Sequence, residues 1–159
     1  MITKKNLNEL YKWASNRQFP MKGDLTSPDY TNKTIYSCQL KFVRKNIHIR
    51  KKLMSERVYE IYKNDEILNS MYSISDGGTI LKPHKDPDTY NHRYKRIQIP
   101  TKVPNGCYMI WDGHKVIWEI GVPQCFQVMD CIHEAHNPSD DTLEFLFLDV
   151  KMETEVELF

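Results

Sequence analysis

A chain of 159 residues with 40% hydrophobic side chains is long enough to enclose one sizeable core, so a single domain spanning 1–159 is expected. Twenty-two Lys and Arg against 21 Asp and Glu leave a net charge of +1, without the excess that a nucleic-acid or anionic-membrane surface demands, and neither partner is expected. No apolar run reaches membrane-spanning length, residues 1–10 lack an apolar signal core, and the four cysteines have no CxxC spacing, so the expectation is a soluble, cytoplasmic protein with reduced thiols.

In chain order, Thr3 is placed to cap a helix in which Leu7, Leu10, Tyr11 and Ala14 recur at helical spacing. Residues 18–35 hold Pro20, Gly23, Pro28, Asp29 and Asn32 and read as an ordered loop. Residues 40–66 read as mostly helical, with Ser55 capping a helix that carries Val58, Ile61 and Tyr62. The basic cluster of Lys41, Arg44, Lys45, Arg50, Lys51 and Lys52 then reads as a solvated helix face.

After residue 68 the period changes from helical to alternating. Runs at 71–74, 79–82, 94–99, 107–111, 115–120, 125–128 and 143–150 are strand-like. Between them lie turn signals, of which Asp112-Gly113 between two apolar runs is the strongest for a hairpin. Many short strands with no intervening helices imply a sandwich or closed barrel. The expected fold is therefore mainly β with N-terminal helices: a helical support over 1–67 and a β core over 68–151.

Within that core the run Pro83-His84-Lys85-Asp86-Pro87 carries chemistry. In a strand, residues i and i+2 share a face, so His84 and Asp86 present an imidazole and a carboxylate side by side. These are two of the three ligands of a 2-His-1-carboxylate metal site, and the third could be His133 or His136. Each histidine taken alone also has a purely structural reading, and Asp86 beside Pro87-Asp88 also fits a turn residue.

The ordered run Tyr72-Ser73-Ile74, Gly78-Thr79, Pro83-His84, Arg96-x-Gln98, Trp118-Glu119-x-Gly121, Phe126, His133-Glu134-x-x-Asn137 and Leu148-Asp149 resembles the aspartyl/asparaginyl β-hydroxylase family over roughly residues 68–151. That resemblance implies a double-stranded β-helix, or jelly roll, and an oxygenase dependent on Fe(II), 2-oxoglutarate and O2 that hydroxylates a C–H bond. It implies His84 and His133 as iron ligands, since His136 does not open the His-Glu-x-x-Asn pattern. Some members carry glycine at the position of Asp86; its presence here implies a complete triad and favours hydroxylation over halogenation.

The resemblance further implies that Arg96, Gln98 and Ser73 face the cosubstrate, with Gln98 replacing a histidine. At the position of the arginine that anchors the distal carboxylate this chain has Leu143, which lacks a cation. Lys82, two residues before His84, is the expected replacement inside the barrel, with Arg93 and Lys151 as further candidates. Asp130, Glu134 and Asp149 are candidates to orient His133. The substrate class stays open between an aspartyl or asparaginyl side chain of a peptide or protein and a small molecule. Two other readings remain: a cupin-like metal dioxygenase working without 2-oxoglutarate, and a non-catalytic jelly-roll binding module.

Overall fold

A computed structural model describes residues 1–24, 35–88 and 92–158, and most of the loop expected over 18–35 lies outside them. Helix α1 (Lys4–Ser15) starts where the sequence places it. The Thr3 hydroxyl accepts from the Asn6 N–H at 3.1 Å and the Asn6 side chain accepts from the Thr3 N–H at 3.2 Å, a reciprocal cap. Leu7, Leu10 and Ala14 are buried. β1 (Lys22–Asp24), β2 (Ile35–Val43), β3 (Ile47–Ile49), a 3-10 turn (Lys51–Leu53) and α2 (Glu56–Tyr62) follow. Ser55 caps α2 through the Val58 N–H, as expected.

Only α2 fulfils the helical expectation for 40–66. Residues 35–49 are instead an antiparallel hairpin, with Lys41 opposite Ile49 and Val43 opposite Ile47. The physical cause is a bulge between Gln39 and Lys41, where the pairing with the next strand shifts register. Leu40 and Lys41 are both buried as a result, and the period-two pattern that advertises a strand is erased. Lys41 is not part of a solvated face. Its ammonium donates to the carbonyls of Tyr62 at 2.6 Å and Asn64 at 2.9 Å, satisfying the C-terminal end of α2. The N-terminal 67 residues are thus not helical throughout, since three of their elements are strands.

The remaining strands are β4 (Ile67–Ser75), β5 (Ile80–His84), β6 (Tyr94–Lys102), β7 (Tyr108–Trp111), β8 (His114–Val116), β9 (Gln124–Phe126), β10 (His133–His136) and β11 (Leu143–Lys151). They form a jelly roll of two antiparallel sheets, one ordered β1-β2-β4-β11-β6-β9 with β3 beside β2, the other ordered β5-β10-β7-β8. The β7–β8 hairpin turns at Asp112-Gly113, where both residues have positive φ (48° and 78°), the pattern of a two-residue turn matched to strand twist.

Alternation along β11 separates two cores. Leu146, Leu148 and Val150 face α1 and α2, packing with Leu10, Ile61 and Ile97. Leu143 and Phe145 face the second sheet, packing with Met109, Trp118 and Val128. The helices therefore buttress the large sheet from outside and leave its inner face for the site. No helix among the described residues is long and apolar enough to cross a membrane.

Candidate metal centre

The two sheets enclose a cavity of about 390 Å³ whose lining includes His84, Asp86, His133, Arg96, Gln98 and Ser73. One nitrogen from each histidine and one oxygen from Asp86 all lie within 4.8 Å of one another, forming a cluster apt for a metal ion. His84 ends β5 and stands opposite His133, which opens β10. Asp86 lies just beyond the strand, where its backbone N–H donates to the Val128 carbonyl at 3.0 Å. Asp86 Oδ1 sits 3.2 Å from His84 Nε2 and 3.1 Å from His133 Nε2. Three cis ligands of an octahedral ion, each about 2.1 Å from it, stand roughly 3 Å apart, so these separations suit a divalent metal.

The outer nitrogens of both rings are committed. His84 Nδ1 lies 2.7 Å from the Lys82 carbonyl and His133 Nδ1 lies 3.0 Å from the Cys131 carbonyl. A carbonyl only accepts, so each Nδ1 carries hydrogen, and in a neutral ring Nε2 then presents its lone pair to the Asp86 carboxylate. Beside an anionic oxygen at about 3 Å each Nε2 calls for positive charge between them, supplied by a proton on the ring or by a metal ion in its place. The expectation that Asp130, Glu134 or Asp149 orients His133 is corrected accordingly: a backbone carbonyl does so. His136, the alternative third ligand, has its Nε2 2.6 Å from Glu134 Oε2 and its ring stacked on Tyr108 at 4.7 Å.

Arg96 is held between two carboxylates. Its Nε and Nη2 donate to Asp149 at 2.7 and 3.0 Å, and its Nη1 lies 3.1 Å from Asp86 Oδ2. Asp149 is fully buried and also accepts from Asn69 Nδ2 at 3.2 Å. Burial disfavours the Arg96 charge, but Asp149 and then Asp86 outweigh it and push its pKa above the ordinary value. Burial likewise works against the Asp86 anion, yet the His133 and His84 rings and the Arg96 guanidinium hold its carboxyl well below the usual range. Arg96 therefore fixes the outer oxygen of Asp86 and leaves Oδ1 toward the histidines.

Gln98 and Ser73 line the cavity. The indole N–H of Trp118 donates to Gln98 Oε1 at 2.8 Å, which orients the amide with its NH2 near Met109 Sδ. Lys82 is exposed and does not line the cavity, so its expected place inside the barrel is corrected. Four residues of β5, Leu81 to His84, stand against only three of β10, Ala135 to His133. That bulge at Pro83 lets both Leu81 and His84 face inward and turns Lys82 to solvent. Arg93 pairs with Asp130 at the surface, and Lys151 is not in the lining either. Sequence reasoning gave no site role to Thr79, quoted only within the motif run, or to Ser75; both line the cavity and sit at the turn flanking Gly77-Gly78.

A family model described as aspartyl/asparaginyl beta-hydroxylase matches residues 36–153, reaching further toward the N-terminus than the resemblance read from motifs. The fold is similar to an oxidoreductase of the 2OG-Fe(II) oxygenase family from Burkholderia pseudomallei, with a TM-score of 0.63, 10% identity, and coverage of 91% of this chain and 78% of that one. It is also similar to a predicted oxalate decarboxylase from Thermotoga maritima, with a TM-score of 0.56, 11% identity, and coverage of 85% and 95%. At such identities these two likenesses speak for the jelly-roll fold alone. No curated protein matches the chain by sequence.

Proposed function

The chain belongs to the aspartyl/asparaginyl β-hydroxylase family, and on that premise we propose that it is a mononuclear non-haem iron oxygenase that uses O2 to hydroxylate a C–H bond. The observation that carries this reading is the convergence of His84 Nε2, His133 Nε2 and Asp86 Oδ1 with both outer ring nitrogens already committed to carbonyls. Two imidazoles and one carboxylate on one side of an ion are the donor set of Fe(II) oxygenases, which leave the opposite positions open. Bound there, iron supplies the redox chemistry that lets O2 react with an unactivated C–H bond.

The chain's own residues do the rest. His84, His133 and Asp86 hold the metal, and Arg96 keeps Asp86 from turning its second oxygen inward. Phe145, Phe147 and Trp118 wall the cavity and exclude water, while the Gln98 amide offers a donor beside the centre. The substrate is an aspartyl or asparaginyl side chain of a peptide or protein, or a small molecule that enters the same cavity.

The family's cosubstrate, 2-oxoglutarate, fits this cavity in part. Its oxo-acid end suits open positions on a metal, and Ser73 lines the wall. Its second carboxylate finds no uncommitted cation among the described lining residues: Arg96 is held by Asp149 and Asp86, and the His136 ring is paired with Glu134. That one observation also favours a second reading, a metal dioxygenase that works without 2-oxoglutarate.

Nitric oxide, as an O2 surrogate, tests the proposal. Anaerobic protein loaded with Fe(II) is expected to give the high-spin iron-nitrosyl EPR signal, and His133→Ala is expected to lose it. Absence of the signal from iron-loaded native protein would rule out an open oxygen-binding position.

A further inference from the structure

The end of the cavity away from the metal specifies which ligand can lie there. Inner positions of β4 and β11 recede from the Arg96–Asp149 pair in register: Phe147 stands opposite Met71, Phe145 opposite Ser73, and Leu143 opposite Ser75. Ser37 on β2 stands opposite Ser73. Leu143 is buried and contributes only a branched alkyl group. Thr79 is 3% exposed and lines the cavity, and its hydroxyl has no hydrogen-bond partner among the described residues. Ser73 makes no side-chain hydrogen bond among the described residues. Asn137, which also lines this end, is consumed by the turn: its Nδ2 donates to the carbonyls of Ser75, Asp76 and Asp141.

Charge decides what this lining accepts. Asp149 cancels Arg96, and a divalent ion set against Asp86 leaves a single positive charge. One carboxylate of a chelating acid neutralises it. Among the described residues a second carboxylate at the far end would meet hydroxyls, Leu143 and a His136 ring already paired with Glu134, and a buried anion without a cation of its own is strongly disfavoured. Hydroxyls of Ser73 and Thr79 suit a carbonyl or hydroxyl group, and Leu143 with Phe145 suits an alkyl group.

We propose that this cavity takes a metal-chelating 2-oxo acid whose far end is uncharged, in place of the dicarboxylic 2-oxoglutarate. The inference rests on the metal-centre reading. The overall reaction balances with such an acid as the electron donor: its C1–C2 bond breaks and CO2 leaves. One atom of O2 enters the new carboxylic acid, and the other enters the substrate C–H bond as hydroxyl.

The test is an anaerobic titration of the Fe(II)-loaded protein with 2-oxoglutarate, its distal methyl ester and the branched-chain oxo acid ketoleucine, read by the metal-to-ligand charge-transfer band. The two uncharged-ended acids are expected to bind about tenfold or more tightly than 2-oxoglutarate. Leu143→Arg is expected to invert that order. Thr79→Val, which keeps the shape and removes the hydroxyl, is expected to weaken the ester several-fold and leave ketoleucine unchanged. Tightest binding of 2-oxoglutarate to the native protein, or iron binding with no band from any of the three acids, would overturn the inference while leaving the metal centre standing. Failure to bind iron at all would overturn both.

Discussion

At the scale of single residues, Arg96 shows how one side chain is diverted from a role its position suggests. It sits on a strand face pointing into the cavity, yet its nitrogens are taken by Asp149 and Asp86. Its work is to brace a carboxylate. Asp149→Ala leaves this buried guanidinium with one partner, and the expected loss is about 3–5 kcal/mol of stability, measurable by urea denaturation. A loss within experimental error would mean that Arg96 finds solvent instead. Lys41 makes a second prediction. Burial lowers its pKa from 10.5 to about 8, partly opposed by Asp65. Between those values the unfolded chain holds the proton that the folded chain releases, so rising pH favours folding through this group. The Tm of the native protein relative to Lys41→Met is expected to rise from pH 8 to pH 10.5. A constant or falling difference would contradict the assignment.

At the scale of elements, the parts readable in advance are those set by local chemistry. Thr3 and Ser55 cap helices through their own hydroxyls, and Asp112-Gly113 supplies both positive φ angles of its turn. His84 and Asp86 were legible as a pair because their spacing brings them together whether Asp86 continues the strand or follows it. What escaped reading was set by bulges. The irregularity at Gln39–Lys41 buries adjacent residues and disguises β2, and the one at Pro83 turns Lys82 away from the cavity. Neither shift shows in hydropathy, because each is decided by the partner strand. The lining roles of Thr79 and Ser75 were illegible for a related reason: they depend on how the β4–β5 turn closes. Gly77 in that turn is fixed by a close approach, since a Cβ there would meet the Ser139 carbonyl oxygen at 2.6 Å. Gly77→Ala is expected to cost about 1–3 kcal/mol in denaturant unfolding. Unchanged stability would show that the turn yields.

At the scale of the whole molecule, the helices and even-numbered positions of β11 make one core, and the space between the sheets makes a second that is left partly hollow. The hollow is where two imidazole nitrogens and a carboxylate oxygen converge, a donor set that exists only in the folded chain and that a metal ion can bridge in place of protons. Metal binding and folding are therefore coupled. At about a hundredfold excess over Kd, a divalent ion adds roughly 2.7 kcal/mol. For a domain of this size that raises Tm by about 5–10 °C. The rise is expected to vanish in His84→Ala, as read by scanning calorimetry with and without Fe(II) under argon; an equal rise in the variant would place the ion elsewhere. The most direct test of the account is anaerobic equilibrium dialysis of Fe(II) against the native protein and against Asp86→Ala and His133→Ala variants that keep the native circular dichroism. The predicted result is one iron per native chain and loss of that iron in both variants, whereas a native chain that binds none, or variants that bind as well as the native, would contradict the metal centre.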